Sequence, residues 1–562
     1  MAAKEAGVSD EDPRADLQWG SIPDLVARGS LRHPDHEAVV DTGSRLTYGE
    51  LPGAVDLYAR GYVAAGVGAG DRVGIWAPNC GEWVLAALGA LRAGAVLVPM
   101  NTRCKGGEAA YIVRASGATT LVTVRGFLGV DYPALLRGHE TGALERIVLL
   151  RDEGQMEPSP AVELLALAPF LDAGTGVEAA ATAGRVRALG PEDLSDLIFT
   201  SGTTGKPKGA ATTHGQSLRT FGTWASIVGL EATDRYLVVN PFFHTFGYKA
   251  GILACLLTGA TIVPEAVFDA RRVLQHIAEE RISVLPGPPT LYQSLLAEPT
   301  RGDYDLSSLR LGVTGAAVVP VELVHAMRND LGFSTVLTAY GLTESSGTVT
   351  MCRRSDPPEI VATTSGRAIP GVEVRVVVDG DEVPCGEPGE VEVRGYTVMA
   401  GYWLDEEETS AVIDAEGWLR TGDIGVMDLD GNVAIVDRVK DMFVVGGFNA
   451  YPAEIEAMLR GHPGVAAVAV IGVPDDRLGE VGCAYVVPAG PDGAGLDAEG
   501  TEALARELLA WSRHEMANYK APRGVVVVEA LPVNAGGKVL KRELRARHRA
   551  GDDHVVSYER SG

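Results

Sequence analysis

The chain has 562 residues, 46% hydrophobic and 22% charged, with a formal net charge of -25 and an isoelectric point near 4.9. That length exceeds what one hydrophobic core organises, so at least two domains are expected. So acidic a composition argues against a nucleic-acid partner, which needs concentrated Lys and Arg for its phosphates.

In chain order, residues 1–18 are polar and acidic, lack the apolar stretch of a signal peptide, and read as a flexible leader. A strand is expected in DRVGIWAPN (71–79), a helix in EWVLAALGALRAG (82–94) and a strand in AVLVPMN (95–101). Strands alternating with helices of this length predict βαβ units and largely parallel sheets. The pattern continues to about residue 340 with no fixed period, which excludes a solenoid. The longest apolar run, 250–263, is broken by Gly251 and Gly259 and stopped by Pro264, too short to span a bilayer. From about residue 370, GVEVRVVVDGDEV and GEVEVRG alternate apolar and polar residues, which predicts antiparallel strands. MDLDGNVAIV reads as a hairpin with an Asp-Gly turn. Beyond DRVKD (437–441) comes a smaller unit: a helix in YPAEIEAMLRGHP, strands in AAVAVIGV and CAYVVPA, and a helix in ARELLAWSRHEM. The expected divisions are therefore a leader at 1–18, a large domain at 19–437, a hinge at 438–441 and a small domain at 442–562. Six cysteines (Cys80, Cys104, Cys255, Cys352, Cys385, Cys483) lie far apart with no CxxC pair. They read as reduced thiols of an intracellular protein, and a cytoplasmic location with no transmembrane segment is the expectation.

The sharpest local signal is DLIFTSGTTGKPKGA, 196–210. An apolar strand end at Leu197, Ile198 and Phe199 runs into Thr200, Ser201, Gly202, Thr203, Thr204, Gly205, Lys206 and Lys208. Glycines let the backbone turn its N–H groups inward, and hydroxyls and ammonium groups complete a cradle for phosphate oxygens. No Walker A string occurs. GVGAGD (66–71) fails as a dinucleotide loop because Asp71 stands where the third glycine should be. HPDHE (33–37) matches no HExxH-type metal spacing, and no GxSxG nucleophile elbow is present.

TSGTTGKPKG resembles the signature loop of the adenylate-forming superfamily of acyl-CoA synthetases, peptide-synthetase adenylation domains and luciferases. Further superfamily motifs follow in order: PFFHTFGYKAG (241–251), VTGAA (313–317), YGLTE (340–344), GYW (401–403), GWLRTGD (417–423), DRVKDMFVVGGFNAYPAEIE (437–456) and LPVNAGGKVLKREL (531–544). The resemblance implies an α/β fold. A large N-terminal domain of two βαβ-type subdomains plus a small β-barrel is followed by a small mobile C-terminal α+β lid.

The same resemblance assigns roles to individual residues. Thr343 and Glu344 would help hold Mg²⁺ on the nucleotide, as a hydroxyl and a carboxylate suit a hard cation bound partly through substrate phosphates. Tyr340 would stack on adenine beside the Gly315, Ala316 and Ala317 backbone, with Gly341 next in the string. Asp423 and Arg438 would grip the ribose hydroxyls, one as a double acceptor and the other as a fixed fork of donors. His244 would border the acyl pocket near the substrate carboxylate; set among Phe242, Phe243 and Phe246, it could equally be a packed core histidine. Lys538 would supply positive charge where carboxylate and α-phosphate meet. Lys440 stands at the hinge position, and Gly446 and Gly447 would face the pantetheine channel in a second lid orientation.

The activity implied is ATP-dependent acyl-CoA ligation through an acyl-adenylate, with ATP, Mg²⁺ and coenzyme A as cofactor and co-substrates and a carboxylic acid as partner. The alternatives are an acyl-AMP ligase loading a carrier-protein thiol and a non-catalytic nucleotide-binding relative. No carrier-like or condensation-like region is fused to the chain, which favours the free CoA ligase over the first, and retention of Lys538, Glu344, Asp423 and Arg438 argues against the second. Oligomeric state is not legible, and a homo-oligomer is compatible with the sequence. The run from 240 to 269, with ISVLPGPPTLYQSLL and LTAYGLTESSGTVTMCR, is similar to actinobacterial ligases acting on propanoate side chains of steroid-derived indane rings. A straight-chain fatty acid is the competing expectation.

Overall fold

The computed structural model describes residues 20–151, 162–201, 206–315, 319–378, 380–438, 443–450, 452–489, 498–532 and 539–557. The chain separates into two compact units. The first comprises Met1–Thr102, Ala109–Phe199 and Gly209–Asp437, and the second Arg103–Glu108, Thr200–Lys208 and Arg438–Gly562.

The longest sheet has eight strands. Its central part pairs Arg72–Trp76 with both Val96–Pro99 and Ala118–Val124, all parallel, and the helix Gly81–Arg92 connects the first two. The strands and the helix are therefore where the sequence puts them. The helix is almost wholly buried, and Gly89 explains how closely it packs, since a Cβ there would lie 2.5 Å from the Tyr58 Cβ. One edge of this sheet ends in Leu194–Ser201, Pro207–Thr213 and the two-residue strand Gly401–Tyr402. The last pairs antiparallel to Pro207–Thr213, with Gly401 opposite Ala211 and Tyr402 opposite Ala210.

A four-stranded sheet carries the parallel pair Leu311–Gly315 and Thr335–Tyr340, in register from Leu311 opposite Thr335 to Gly315 opposite Ala339. Another contains Arg235–Val238 and Thr261–Pro264, also parallel. The alternating segment after residue 370 forms a five-stranded antiparallel sheet built on Val372–Val378, Pro388–Gly395, Leu419–Met427 and Val433–Arg438. The Asp-Gly turn is present, with Gly431 at φ +79 and Asp428 accepting from the Asp430 and Asn432 N–H groups.

The second unit packs the helices Pro452–Leu459, Ala498–Glu515 and Lys541–Ala550 with a sheet whose longest pair is Val465–Asp475 and Gly479–Pro488. Its core includes Ile455, Leu459, Val470, Ile471, Tyr485, Leu508 and Leu544.

Two features of the first unit lie outside the sequence reading. The segment Phe246–Leu253 is a π-helix, a rare form concentrated at functional sites. Within it Lys249 is fully buried and its Nζ lies 2.9 Å from Oδ1 of the equally buried Asp196 on Leu194–Ser201. Burial pushes the Lys249 ammonium down, and the Asp196 charge opposes that shift. Each charge is tolerated only because the other is present. The pair fastens the π-helix to the strand that leads into the 200–208 segment.

Lys249→Met should therefore lower unfolding stability by about 3–5 kcal/mol, the usual cost of stranding one member of a buried pair. Lys249→Met with Asp196→Leu should recover most of that loss. Chemical denaturation reads both, and a loss under about 1 kcal/mol in the single variant would contradict this role.

Candidate active site

The strand Thr335–Tyr340 ends in a folded turn that carries Thr343 and Glu344. The Leu342 N–H donates to Ser345 Oγ at 2.9 Å and the Gly347 N–H returns to the Leu342 carbonyl at 2.7 Å. Two glycines make this closure possible. A Cβ on Gly341 would stand 2.5 Å from the Gly347 carbonyl, and Gly347 itself has φ +94. Ser346 is left-handed at φ +54, a conformation costing a non-glycine residue about 1–2 kcal/mol. Its hydroxyl donates to the Thr397 carbonyl at 2.8 Å and helps hold that backbone.

A strap formed by 397–403 lies along this turn. The Met399 N–H donates to the Glu344 carbonyl at 2.8 Å, and the Tyr402 hydroxyl donates to Glu344 Oε1 at 3.0 Å. At Tyr340, the hydroxyl donates to Asp423 Oδ2 at 2.7 Å. Asp423 is buried on Leu419–Met427, and its N–H donates to Thr421 Oγ1 at 3.1 Å. Gly315 sits beside these groups through its pairing with Ala339, and a Cβ there would lie 2.7 Å from the Ala339 carbonyl oxygen. The structure thus gathers Gly315, Tyr340, Gly341, Thr343, Glu344 and Asp423 around one strand end.

His244 joins them from the π-helix side, because a Cβ on Gly347 would be 3.0 Å from the Cβ of Thr245. Phe242 is buried against Trp83, with ring centroids 5.1 Å apart, whereas His244 is exposed. The packed-core reading of this histidine is therefore not the structure found. The surrounding protein nevertheless desolvates the imidazole and lowers its pKa to about 4. Accessibility with desolvation is what a side chain lining an open concavity experiences. The Phe246 N–H donates to His244 Nδ1 at 3.2 Å. Nδ1 is then the acceptor of a neutral ring, leaving Nε2–H as a donor.

In the 200–208 segment, Thr200 and Lys208 are half-buried and Lys206 is exposed. Gly209, just after the loop, packs so that a Cβ would meet the Phe199 ring at 3.1 Å. Gly202, Thr203, Thr204, Gly205, Ala316, Ala317, Lys440 and Lys538 lie outside the described residues, as do the side chains of Ser201 and Arg438. Arg438 closes the strand Val433–Arg438, next in the sheet to the strand bearing Asp423.

In the second unit Gly446 and Gly447, at φ +56 and +84, form the two-residue turn between Phe443–Val445 and Phe448–Ala450. Positive φ at both central positions is what a type I′ hairpin needs, so this Gly-Gly has a structural reason of its own. The ends of the segment that carries Lys538 are held together by the Leu540 N–H donating to the Pro532 carbonyl at 2.8 Å. Next to it, Lys541 pairs with Glu456 at 2.7 Å, and the Val470 N–H donates to the same Glu456 oxygen at 2.8 Å.

The AMP-binding enzyme family matches residues 26–403, and the AMP-binding enzyme C-terminal domain family matches 454–538. The chain belongs to the AMP-binding enzyme family. It is 48% identical over 528 residues, 93% of this chain and 98% of the relative, to a 3-[(3aS,4S,7aS)-7a-methyl-1,5-dioxo-octahydro-1H-inden-4-yl]propanoyl:CoA ligase of Mycobacterium tuberculosis. A ligase of the same name from Rhodococcus jostii is 47% identical over 530 residues, covering 93% and 98% of the two chains. Among solved structures, an o-succinylbenzoate CoA synthetase variant from Bacillus subtilis, bound to a product analogue, is similar at a TM-score of 0.78 and 26% identity, covering 96% of this chain and 99% of the other. The amide bond synthetase McbA from Marinactinospora thermotolerans is similar at 0.77 and 29%, covering 94% and 99%. The enzyme is an AMP-forming acid–thiol ligase that uses ATP, Mg²⁺ and CoA to convert a carboxylic acid into its CoA thioester by way of an acyl-adenylate. No described helix is long and apolar enough to cross a membrane.

The donors at the turn fit the metal. Thr343 and Glu344 offer oxygen ligands only, and no group of three or more His, Cys, Asp or Glu among the described residues could hold an ion unaided. A cation that keeps waters and binds largely through substrate phosphates needs no more than that. Sequence reasoning missed the Tyr402 contact although GYW was noted as a motif. It also missed Lys249, for which a lone lysine in the apolar run FGYKAGIL is the available signal.

Because His244 stays neutral until the pH nears 4, kcat/KM for the acid should show no inflection from this residue between about pH 5.5 and 8. Activity dependent on the neutral ring is then lost only as the pH falls toward 4. An inflection near 6.5 that vanishes in His244→Gln would contradict this assignment.

Proposed function

We propose that this ligase activates the propanoate side chain of a steroid-derived, ring-bearing acid of the indane type, and that it works in the cytoplasm. The observation that carries the substrate reading is near-full-length identity of 48% and 47% to two ligases named for such an acid, against 34% to a medium-chain acyl-CoA ligase from Macaca fascicularis.

The roles follow from the chemistry of each group. His244, neutral and donating from Nε2, orients the substrate carboxylate without a formal ion pair that would blunt its nucleophilicity. Tyr340 and Gly315 border the adenine, and Asp423 with Arg438 holds the ribose. The 200–208 loop, from Thr200 to Lys208, cradles the phosphates through hydroxyls, backbone N–H groups and the Lys206 and Lys208 charges. Thr343 and Glu344 hold Mg²⁺, which when bound offsets phosphate charge. Lys538 draws the carboxylate and α-phosphate together, since that encounter of two anions needs a preorganised positive group. A large domain at 19–437 then exchanges two orientations of a lid at 442–562 about a hinge at 438–441 that includes Lys440. In the second orientation Gly446 and Gly447 flank the pantetheine, its thiol attacks the acyl carbonyl, and AMP leaves.

Lys538→Ala should lower acid-dependent exchange of pyrophosphate with ATP by about 10²- to 10³-fold, the usual cost of one preorganised donor. Thioester formation from supplied acyl-adenylate should fall far less, and equal loss of both steps would contradict the role. For the substrate, a panel of acids assayed for AMP release with CoA should give a much higher kcat/KM for the indane propanoate than for any linear acid. Hexanoate or octanoate matching it would overturn the ring reading. A narrow tunnel for alkyl chains gives instead a smooth series, because each methylene is worth only about 1–3 kcal/mol.

A further inference from the structure

We infer that Tyr402 is a positioning residue for adenylation: its hydroxyl fixes the carboxylate of Glu344 in the orientation that receives Mg²⁺. This rests on the assignment of Glu344 to the metal.

Three observations carry it. The first is the contact itself, Tyr402 Oη donating to Glu344 Oε1 at 3.0 Å. A phenol donor on one carboxylate oxygen fixes the plane of the group, and a carboxylate carries about four lone-pair sites in all. The second is the rigidity of the donor. Tyr402 pairs with Ala210 in the sheet, its N–H donates to Thr409 Oγ1 at 2.9 Å, and its carbonyl accepts from the Asp405 N–H at 3.2 Å. A side chain rooted on three sides can hold its hydroxyl within the tolerance a metal ligand demands. The third is where the root lies. Ala210 sits on Pro207–Thr213, the strand that leaves the phosphate loop. The neighbouring Met399 N–H also holds the Glu344 carbonyl at 2.8 Å, so the strap grips this residue at both its backbone and its carboxylate.

One tyrosine thus links the strand that carries Ala210 to the carboxylate assigned to the metal. Residues that orient a metal ligand cost about 10- to 100-fold in metal affinity when removed, even without touching the metal.

The test uses Mn²⁺ in place of Mg²⁺, with its binding to the full-length enzyme–ATP complex followed by electron paramagnetic resonance. Wild type, Tyr402→Phe and Glu344→Gln are compared, together with the thermal midpoint of each protein without ligands. Tyr402→Phe should weaken Mn²⁺ binding by about 10- to 100-fold at an unchanged midpoint, and Glu344→Gln should weaken it further. Unchanged affinity in Tyr402→Phe beside a loss in Glu344→Gln overturns the inference and leaves the Glu344 assignment standing. Unchanged affinity in both overturns that assignment. Should the phenylalanine variant fold poorly, 4-aminophenylalanine and 4-methylphenylalanine at position 402 both keep the ring and its bulk, and only the first keeps a hydrogen-bond donor. The amine should hold Mn²⁺ affinity near that of wild type while the methyl loses it. Equal affinity in the two would overturn the inference.

Discussion

The site depends on one steric constraint, the closure of the turn from Gly341 to Gly347 against its own backbone. With a Cβ on Gly341 only 2.5 Å from the Gly347 carbonyl, no other residue fits there without moving the chain. That closure aims Thr343 and Glu344 off the end of the strand Thr335–Tyr340 while Tyr340 still reaches Asp423. It also brings Gly347 against Thr245, which follows His244 in the chain. The left-handed Ser346 stores some strain at this point, and the Thr397 carbonyl helps to keep it in place.

Charge is handled in two ways in this region. Where an ionised pair is buried, as with Lys249 and Asp196, it is matched and serves to fasten elements together. At His244 the protein instead keeps a neutral donor, its ring desolvated until protonation is deferred to a pH of about 4. Desolvation that would destabilise an imidazolium gives a donor that does not respond to physiological pH.

Much of this was legible in the sequence, and the limits are physical. The βαβ order was legible from element length, since the 71–101 strands are short apolar runs buried almost throughout and the longer run between them is a nearly buried helix, while alternation marked the antiparallel segment. The ordered motifs gave the family and pointed to Tyr340, Glu344 and Asp423, which the fold gathers together. The Tyr402–Glu344 bond was not legible, because it joins positions 58 residues apart through a two-residue edge strand too short for any period. The π-helix was equally hidden, as its hydrogen-bond shift has no composition signature. Gly446 and Gly447 show the converse, since a hairpin turn alone accounts for a pair that the motif assigned to the CoA side.

The most direct measurement is a crystal structure of the enzyme with ATP and Mg²⁺ bound. The account predicts the metal at about 2.0–2.1 Å from a Glu344 carboxylate oxygen. It also predicts the ribose hydroxyls on Asp423, the adenine against Tyr340 and Tyr402 still donating to Glu344. Nucleotide bound away from the strand end of Thr335–Tyr340, with Mg²⁺ making no contact to the 343–344 turn, would contradict it.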